Sequence, residues 1–338
     1  MYGSEIYNDF VDDIYWIRER IQADVSFFPD SMKPLVEHYI KKRLLIIPSK
    51  ERIYGNSFDY ELGRPVPYAT FWFAEAFGLK DEAVWRELGL GLLYSALATT
   101  IRDDIIDGEG PQDPQRTSLL NFYNHRYLEI FDSLFPRDSS FWYHLSKGIQ
   151  ETAKYESWNL LFDDGLEIAP FSEAFLHESS RYFSAVVMPT LAALAVITGY
   201  KGGVEVASSF LRHFSMGWRI YDDFCDWKRD LKRENVNHSS ILLYIKQKTQ
   251  GITRLNEKAV HLMFLDADFI NDSYGAILGL FTKAKKDIAG LDCKYLDIFM
   301  DEQLSFHSRR RKLILERSGE LNTEINEKLR AILSFSPS

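Results

Sequence analysis

LGLGLLYSALATTIRDDIID, residues 88–107, decides the fold. The run from Leu88 to Ile101 carries no charge, and it lacks the strict apolar–polar alternation of a half-buried strand. An apolar run of this length reads as a helix buried on all sides. Three acids close it, Asp103, Asp104 and Asp107, just ahead of the helix stoppers Gly108, Gly110 and Pro111. On a helix Asp103 and Asp107 stand four apart and Asp104 and Asp107 three apart, so the three carboxylates crowd one face. They also occupy the last turn, where the helix macrodipole disfavours each negative charge by roughly 0.3–1 kcal/mol. No Lys or Arg stands three or four residues from any of them. A bound cation compensates this repulsion; a purely structural role leaves it unexplained.

Further along, DDFCDWKRD (222–230) repeats the arrangement. Asp222, Asp226 and Asp230 step by four along one face, with Asp223 beside them. Here internal pairing competes with a metal: Arg219 lies within helical reach of Asp222 and Asp223, and Arg229 of Asp226. Two other acidic pairs lack such surroundings. Asp12 and Asp13 sit in a polar terminal helix and read as a solvated face, and Asp163 and Asp164 precede Gly165 and Pro170 at a helix end. Carboxylates without His or Cys favour Mg²⁺, which keeps several waters and completes its shell with phosphate oxygens. Two carboxylate clusters facing each other across a helical bundle would hold several such ions around a diphosphate. The apolar helices behind them would line a dry cavity, so an amphiphile with a diphosphate head and a hydrocarbon tail fits both halves of the site.

Helical periodicity dominates the remaining sequence. It predicts helices near 5–27, 31–47, 66–79, 82–107, 116–134, 138–164, 171–200, 204–232, 252–268, 271–290 and 294–334. No fixed-period repeat, low-complexity tract or long linker divides the 338 residues, so the expectation is one all-α domain over 1–338, a large bundle around a central cavity. A net charge of −9 without a long basic block argues against nucleic acid as a partner. Cys225 and Cys293 make no disulfide framework and fit a reducing cytoplasm, and the acidic N-terminus is unlike a targeting peptide. Tyr182 to Tyr200 is charge-free and long enough to be weighed as a membrane span, but it carries Ser184, Pro189, Thr190 and Thr198. It is read as a buried core helix of a soluble protein.

With these motifs in place, the chain resembles the class I isoprenoid enzymes, the trans-prenyl diphosphate synthases and the terpene cyclases of the same all-α fold. GRPVPYATFWFAEAFGL followed by LGLLYSALATTIRDDIID is similar to the synthase order of a Gly-Lys-Arg segment, a helix and the first aspartate-rich motif. DDFCDWKRD matches the synthase second motif DDxxDxxxD at every aspartate. It also resembles the cyclase triad (N/D)DxxSxxxE, read as Asp222, Asp226 and Asp230 with Arg229 before the last acid. The resemblance implies Mg²⁺ ligation by Asp103, Asp104, Asp107, Asp222, Asp223, Asp226 and Asp230. Three features depart from the elongating synthases. Only Arg116 follows the first motif where paired arginines are normal, the Gly-Lys-Arg segment is reduced to Gly63-Arg64, and Trp218-Arg219 replaces the Phe-Gln pair. The site for an allylic diphosphate thus looks intact and that for isopentenyl diphosphate eroded. The motifs alone therefore favour a cyclase that ionises a linear prenyl diphosphate. The alternatives are a prenyltransferase that elongates with isopentenyl diphosphate, and a non-catalytic subunit modulating a prenyl synthase partner.

The resemblance also suggests roles for other residues. Arg181 stands near where cyclases place a diphosphate-sensing arginine, with helix capping or solvent exposure an equal alternative, and Arg309 and Arg310, with Arg311 and Lys312, near a C-terminal clamp over the leaving group, where a solvated helix face is the plainer reading. Phe214 and Trp218 lie eight and four residues before Asp222 on its face, as core packing or as rings facing a carbocation. Thr99, Ala98, Ser95 and Gly91 line the face behind Asp103, all small, which implies room for a geranylgeranyl-sized or longer tail unless they merely let two helices approach. Tyr94 is the one large residue nearby, either a pocket floor or turned aside. Homodimers are usual for this fold.

Overall fold

The computed structural model describes residues 4–44, 66–106, 108, 114–161, 171–232, 239–248 and 255–334. Among the described residues every regular element is helical. In chain order they are α1 (Ser4–Asn8), α2 (Val11–Asp24) with a 3₁₀ turn at Val25–Phe27, α3 (Lys33–Leu44), α4 (Val66–Ala76), α5 (Glu82–Ile106), α6 (Pro114–Leu134), α7 (Phe141–Leu161) and α8 (Glu173–Thr198). They continue with α9 (Gly203–Lys232), α10 (Ser240–Lys248), α11 (Glu257–Met263), α12 (Ala267–Asp287) and α13 (Lys294–Ser334). The periodicity anticipates most of these within a few residues. It runs α1 and α2 together as one helix, misses α10, and places the break between α11 and α12 some four residues late.

The chain divides into two compact units, each built from three segments. The first comprises residues 1–153, 182–211 and 287–299 and is organised around α5, which packs on α6, α4, α2 and α3. Local chemistry fixes where α5 begins. Gly78 ends α4 with a φ of 77°, a left-handed conformation that suits a residue without Cβ, and the Leu79 N–H closes back on the Ala74 carbonyl at 2.8 Å. Asp81 then caps α5, its Oδ1 accepting from the N–H groups of Ala83 at 3.0 Å and Val84 at 3.3 Å. Leu88 to Tyr94 and Ala96 to Ile101 are buried continuously, as the charge-free run requires. Gly89 makes this packing possible, since a Cβ there would meet Ile17 Cδ1 at 2.9 Å and Phe71 at 3.2 Å. Trp72 of α4 ties the segments together, donating its Nε1–H to the Ile6 carbonyl at 3.2 Å and lying 5.0 Å from the Phe299 ring. The charge-free part of α8 is core as well: Val187 and Leu191 to Leu194 are buried, and Gly148 leaves room for the Pro189 ring.

The second unit comprises residues 154–181, 212–286 and 300–338. Its core is aromatic. Phe224 stacks on Phe269 at 5.6 Å and meets Tyr274 at 5.3 Å, and Phe214 stacks on Phe281 at 5.3 Å. Gly217 admits Phe281, whose ring a Cβ would touch at 2.8 Å. Among the described residues no single helix is long and apolar enough to cross a membrane; the two halves of α8, Glu173–Arg181 and Phe183–Thr198, pass that test only together.

Candidate active site

In the first unit Asp103 and Asp104 occupy the last turn of α5, Asp104 buried and Asp103 half-buried. Asp107, the third acid of the motif, lies outside the described residues, as do Gly63 and Arg64 and the pair Asp163–Asp164. Behind the acids, Thr99, Ala98 and Gly91 are buried and Ser95 is half-buried. Gly91 lies against Ile130 of α6, where a Cβ would come to 3.5 Å, so at that position the small residue serves helix packing. Tyr94 is turned onto α2 and α6. Its hydroxyl donates to Asp24 Oδ2 at 2.5 Å, its ring stacks on Tyr123, and the Arg126 guanidinium lies 5.6 Å over it.

In the second unit the acids of α9 have different surroundings. Asp223 is 2 % exposed, with Ser240 donating to one oxygen and Arg219 beside the other. Oδ2 accepts from the backbone N–H of Ser240 at 2.7 Å and from its hydroxyl at 2.6 Å, while Oδ1 lies 3.2 Å from Arg219 Nε. Burial pushes the Asp223 carboxyl up to about 7, against the pull of the guanidinium and of the Ser240 donors. Asp222, Asp226 and Asp230 remain half-buried. Asp226 pairs with Arg229, and burial raises Asp230 to about 6 against the attraction of Arg219 and Arg229. The ion pairs that the spacing allows are therefore present at Arg219–Asp223 and Arg229–Asp226.

The basic and aromatic candidates of this unit sit as follows. Arg181 pairs with Glu178 one turn earlier on α8. Arg309 is exposed, and Arg310 is half-buried with its guanidinium 5.5 Å over the ring of Tyr221, the residue before Asp222. Arg311 donates to Asn271 Oδ1 at 3.1 and 2.7 Å. Phe214 is 1 % exposed and packed against Phe281, so its ring is part of the core; Trp218 is half-buried and meets Tyr221 edge to face, with ring centroids 5.4 Å apart.

Among the described residues no group of three or more His, Cys, Asp or Glu side chains is gathered as a ready metal cage. The donor sets nevertheless suit Mg²⁺, being carboxylate oxygens only and too few on either helix to complete a shell without water and ligand oxygens. Sequence reasoning missed Ser240 altogether, because it missed α10; the signal was present in Ser239-Ser240, two capping residues directly ahead of the apolar run ILLYI. It also passed over Glu302 and His307 of α13, both buried and without a hydrogen-bond partner among the described residues. Burial moves Glu302 up to about 7 and His307 down to about 3.

No family model and no curated protein sequence matches the chain. Solved structures do. A geranylgeranyl pyrophosphate synthetase from the archaeon Geoglobus acetivorans superposes with a TM-score of 0.68 at 16% identity, over 90% of this chain and 99% of its own. Its fold is that of the class I isoprenoid synthases. A polyprenyl synthase from Caulobacter crescentus, solved with calcium and isoprenyl diphosphate, shares this synthase fold at a TM-score of 0.58 and 14% identity, over 89% of this chain and 98% of that one. A geranyltranstransferase from Methanosarcina mazei does so at 0.54 and 13%, over 90% and 97%. The all-helical architecture read from residues 88–107 outward is thus the observed one.

Proposed function

We propose that the chain is a Mg²⁺-dependent enzyme acting on linear prenyl diphosphates, with prenyl transfer as the first reading of its chemistry. The observation that carries it is the synthase fold over nine tenths of the chain, with aspartate-rich helix segments at Asp103–Asp104 and Asp222–Asp230 where the sequence resembles the two synthase motifs. The solved neighbours are prenyl diphosphate synthases, which supports transfer over cyclisation, the reverse of the order that the motifs alone suggest. Asp103, Asp104, Asp107, Asp222, Asp226 and Asp230 are the residues that would hold the metal. When bound, Mg²⁺ would neutralise charge developing on the departing diphosphate. Arg181 and Arg310 are the chain's own cations for the same anion, each in the second unit and each held by a neighbouring side chain. The apolar length of α5 excludes water from the hydrocarbon tail, and its small residues Ser95, Ala98 and Thr99 suit a geranylgeranyl-sized or longer chain.

A second reading, ionisation and cyclisation of a single prenyl diphosphate, is favoured by Arg219. At the position where elongating synthases resemble one another in carrying Gln, this chain has a guanidinium committed to Asp223. Incubation of purified protein with each linear prenyl diphosphate and Mg²⁺, with and without isopentenyl diphosphate, separates the readings. A longer linear diphosphate formed only with the second substrate supports transfer. A hydrocarbon or alcohol with released diphosphate, formed without it, supports cyclisation. No product under either condition removes both.

A further inference from the structure

Asp222 and Asp223 are adjacent and chemically identical, yet the structure gives them opposite surroundings. At about 100° per residue the two flank the ridge of Asp226 and Asp230, Asp222 on the side of Asp226 and Asp223 on the side of Asp230, so spacing alone does not separate them. Asp222 stays half-buried. Asp223 points to the interior, is 2 % exposed, and meets α10 at its first turn. There it accepts both the N–H and the hydroxyl of Ser240, the fully buried first residue of α10, beside Ser239, whose Oγ caps the helix by accepting from the Leu242 N–H at 3.4 Å. Arg219, one turn earlier on α9, supplies the counter-charge at 3.2 Å. With Oδ2 accepting from both Ser240 donors and Oδ1 facing the Arg219 guanidinium at 3.2 Å, the buried carboxylate is taken up by protein groups on both of its oxygens.

We infer that Asp223 is a positioning residue: with Arg219 and Ser240 it forms a buried joint that locks the rotation of α9, so that Asp222, Asp226 and Asp230 form the acidic ridge. The inference rests on the metal-binding reading proposed above, and it assigns the fourth aspartate of DDFCDWKRD a task other than ligation. Turning α9 by one residue would part Asp223 from Ser240 and swing Asp222, Asp226 and Asp230 about 100° away from the direction they take here. The guanidinium at position 219 completes the joint, since without it the buried carboxylate would lack a charge partner.

The test uses the full chain, Mg²⁺ and inorganic diphosphate, read as the Mg²⁺ concentration giving half of the diphosphate-dependent rise in melting temperature. Asp222→Asn should raise that concentration by about a hundredfold or abolish the rise. Ser240→Ala, which removes one donor from a residue too buried to touch an ion, should raise it on the order of tenfold, as loss of a ligand-orienting partner does. A purely structural role would lower the melting temperature of Ser240→Ala and leave the Mg²⁺ midpoint where it is. Asp223→Asn alone should fold less stably, because Arg219 is left without its anion. The double variant Asp223→Asn/Arg219→Gln, an amide pair of similar shape, should recover stability and a Mg²⁺ midpoint within about threefold of wild type. A double variant that melts like wild type yet binds no better than Asp222→Asn would make Asp223 a ligand and overturn the inference alone. No rise in the wild-type protein would overturn the metal reading and, with it, the role assigned to the joint.

Discussion

The two aspartate-bearing helices carry nearly the same motif in opposite settings. In α5 the acids end a stretch whose residues are buried on every side, and no basic residue occupies a helical neighbour position. In α9 the acids sit on an amphipathic helix that brings its own cations, Arg219 for Asp223 and Arg229 for Asp226. The second motif therefore spends part of its charge on holding itself in shape, through cations carried on the same helix. DDIID and DDFCD look alike as strings because a string records spacing; which of two adjacent carboxylates turns inward in α9 depends on α10, whose Ser240 donates to Asp223.

If both helices serve one metal-dependent reaction, removing an acid from either must cost alike despite the different settings. Asp103→Ala and Asp222→Ala should each lower turnover by about 10²–10³-fold or more, the scale of losing a principal electrostatic stabiliser, with helix content by circular dichroism unchanged. Exposed Asp12→Ala is the control and should match wild type. Loss confined to one helix would break the symmetry and leave the other acids structural.

The architecture was legible because α5 and the core part of α8 announce themselves through charge-free runs that only a buried helix accommodates. The breaks were less so. Asp9 and Phe10 separate α1 from α2 without a Gly or Pro, so the periodicity runs through. At the site, spacing located the acids and the two internal ion pairs as options, but choosing among them needed the tertiary partner. Tyr94 shows the same limit: whether it floors a pocket or turns aside is decided by Asp24, seventy residues earlier in the chain. Asp13, read with Asp12 as a solvated pair, is instead buried, accepting from Trp85 Nε1 at 3.2 Å and Arg86 Nε at 2.6 Å.

The second unit also buries charge away from α9, which predicts a pH signature. In the fold Glu302 holds its proton up to about pH 7, because burial outweighs the attraction of Arg309, against an ordinary value of 4.5. Below 4.5 both folded and unfolded chains are protonated and the residue is neutral to stability. As pH rises from 4.5 to 7 the unfolded chain releases its proton first, so stability falls through that window, and the penalty is complete above it. Glu302→Gln should therefore melt higher than wild type at pH 8, by an amount equivalent to roughly 1–3 kcal/mol, and equal to it at pH 4.5. A gain that does not vary with pH would mean that Glu302 is ionised throughout.

The apolar setting of α5 can be probed for depth. Ser95 is half-buried on the face behind Asp103, whereas Gly91 on the same face is already in contact with Ile130. Ser95→Phe should shift preference toward shorter prenyl diphosphates by about tenfold in relative kcat/KM if the tail runs along this face, since a lost or added contact of this size changes discrimination by 1–3 kcal/mol. Unchanged preference in a folded variant would leave this face to helix packing alone.

The smallest effect concerns Arg229, and it separates charge density from geometry. Its pair with Asp226 is exposed on the arginine side, so it contributes about 0–1 kcal/mol and Arg229→Gln should leave the melting temperature within a degree or two. The same guanidinium competes with any cation for Asp226 and draws on Asp230 from the neighbouring position. If α9 binds Mg²⁺ less readily than α5 because of its own arginines, Arg229→Gln should lower the Mg²⁺ midpoint by about twofold at low ionic strength, and the difference should vanish in 0.5 M salt, where screening removes the competition. If Arg229 instead grips the diphosphate, as its position before the last acid of the motif would permit, the substitution should raise the diphosphate concentration needed for the same rise in melting temperature. The two outcomes have opposite signs, so one titration in each ligand decides whether this arginine restrains the acidic ridge or extends it.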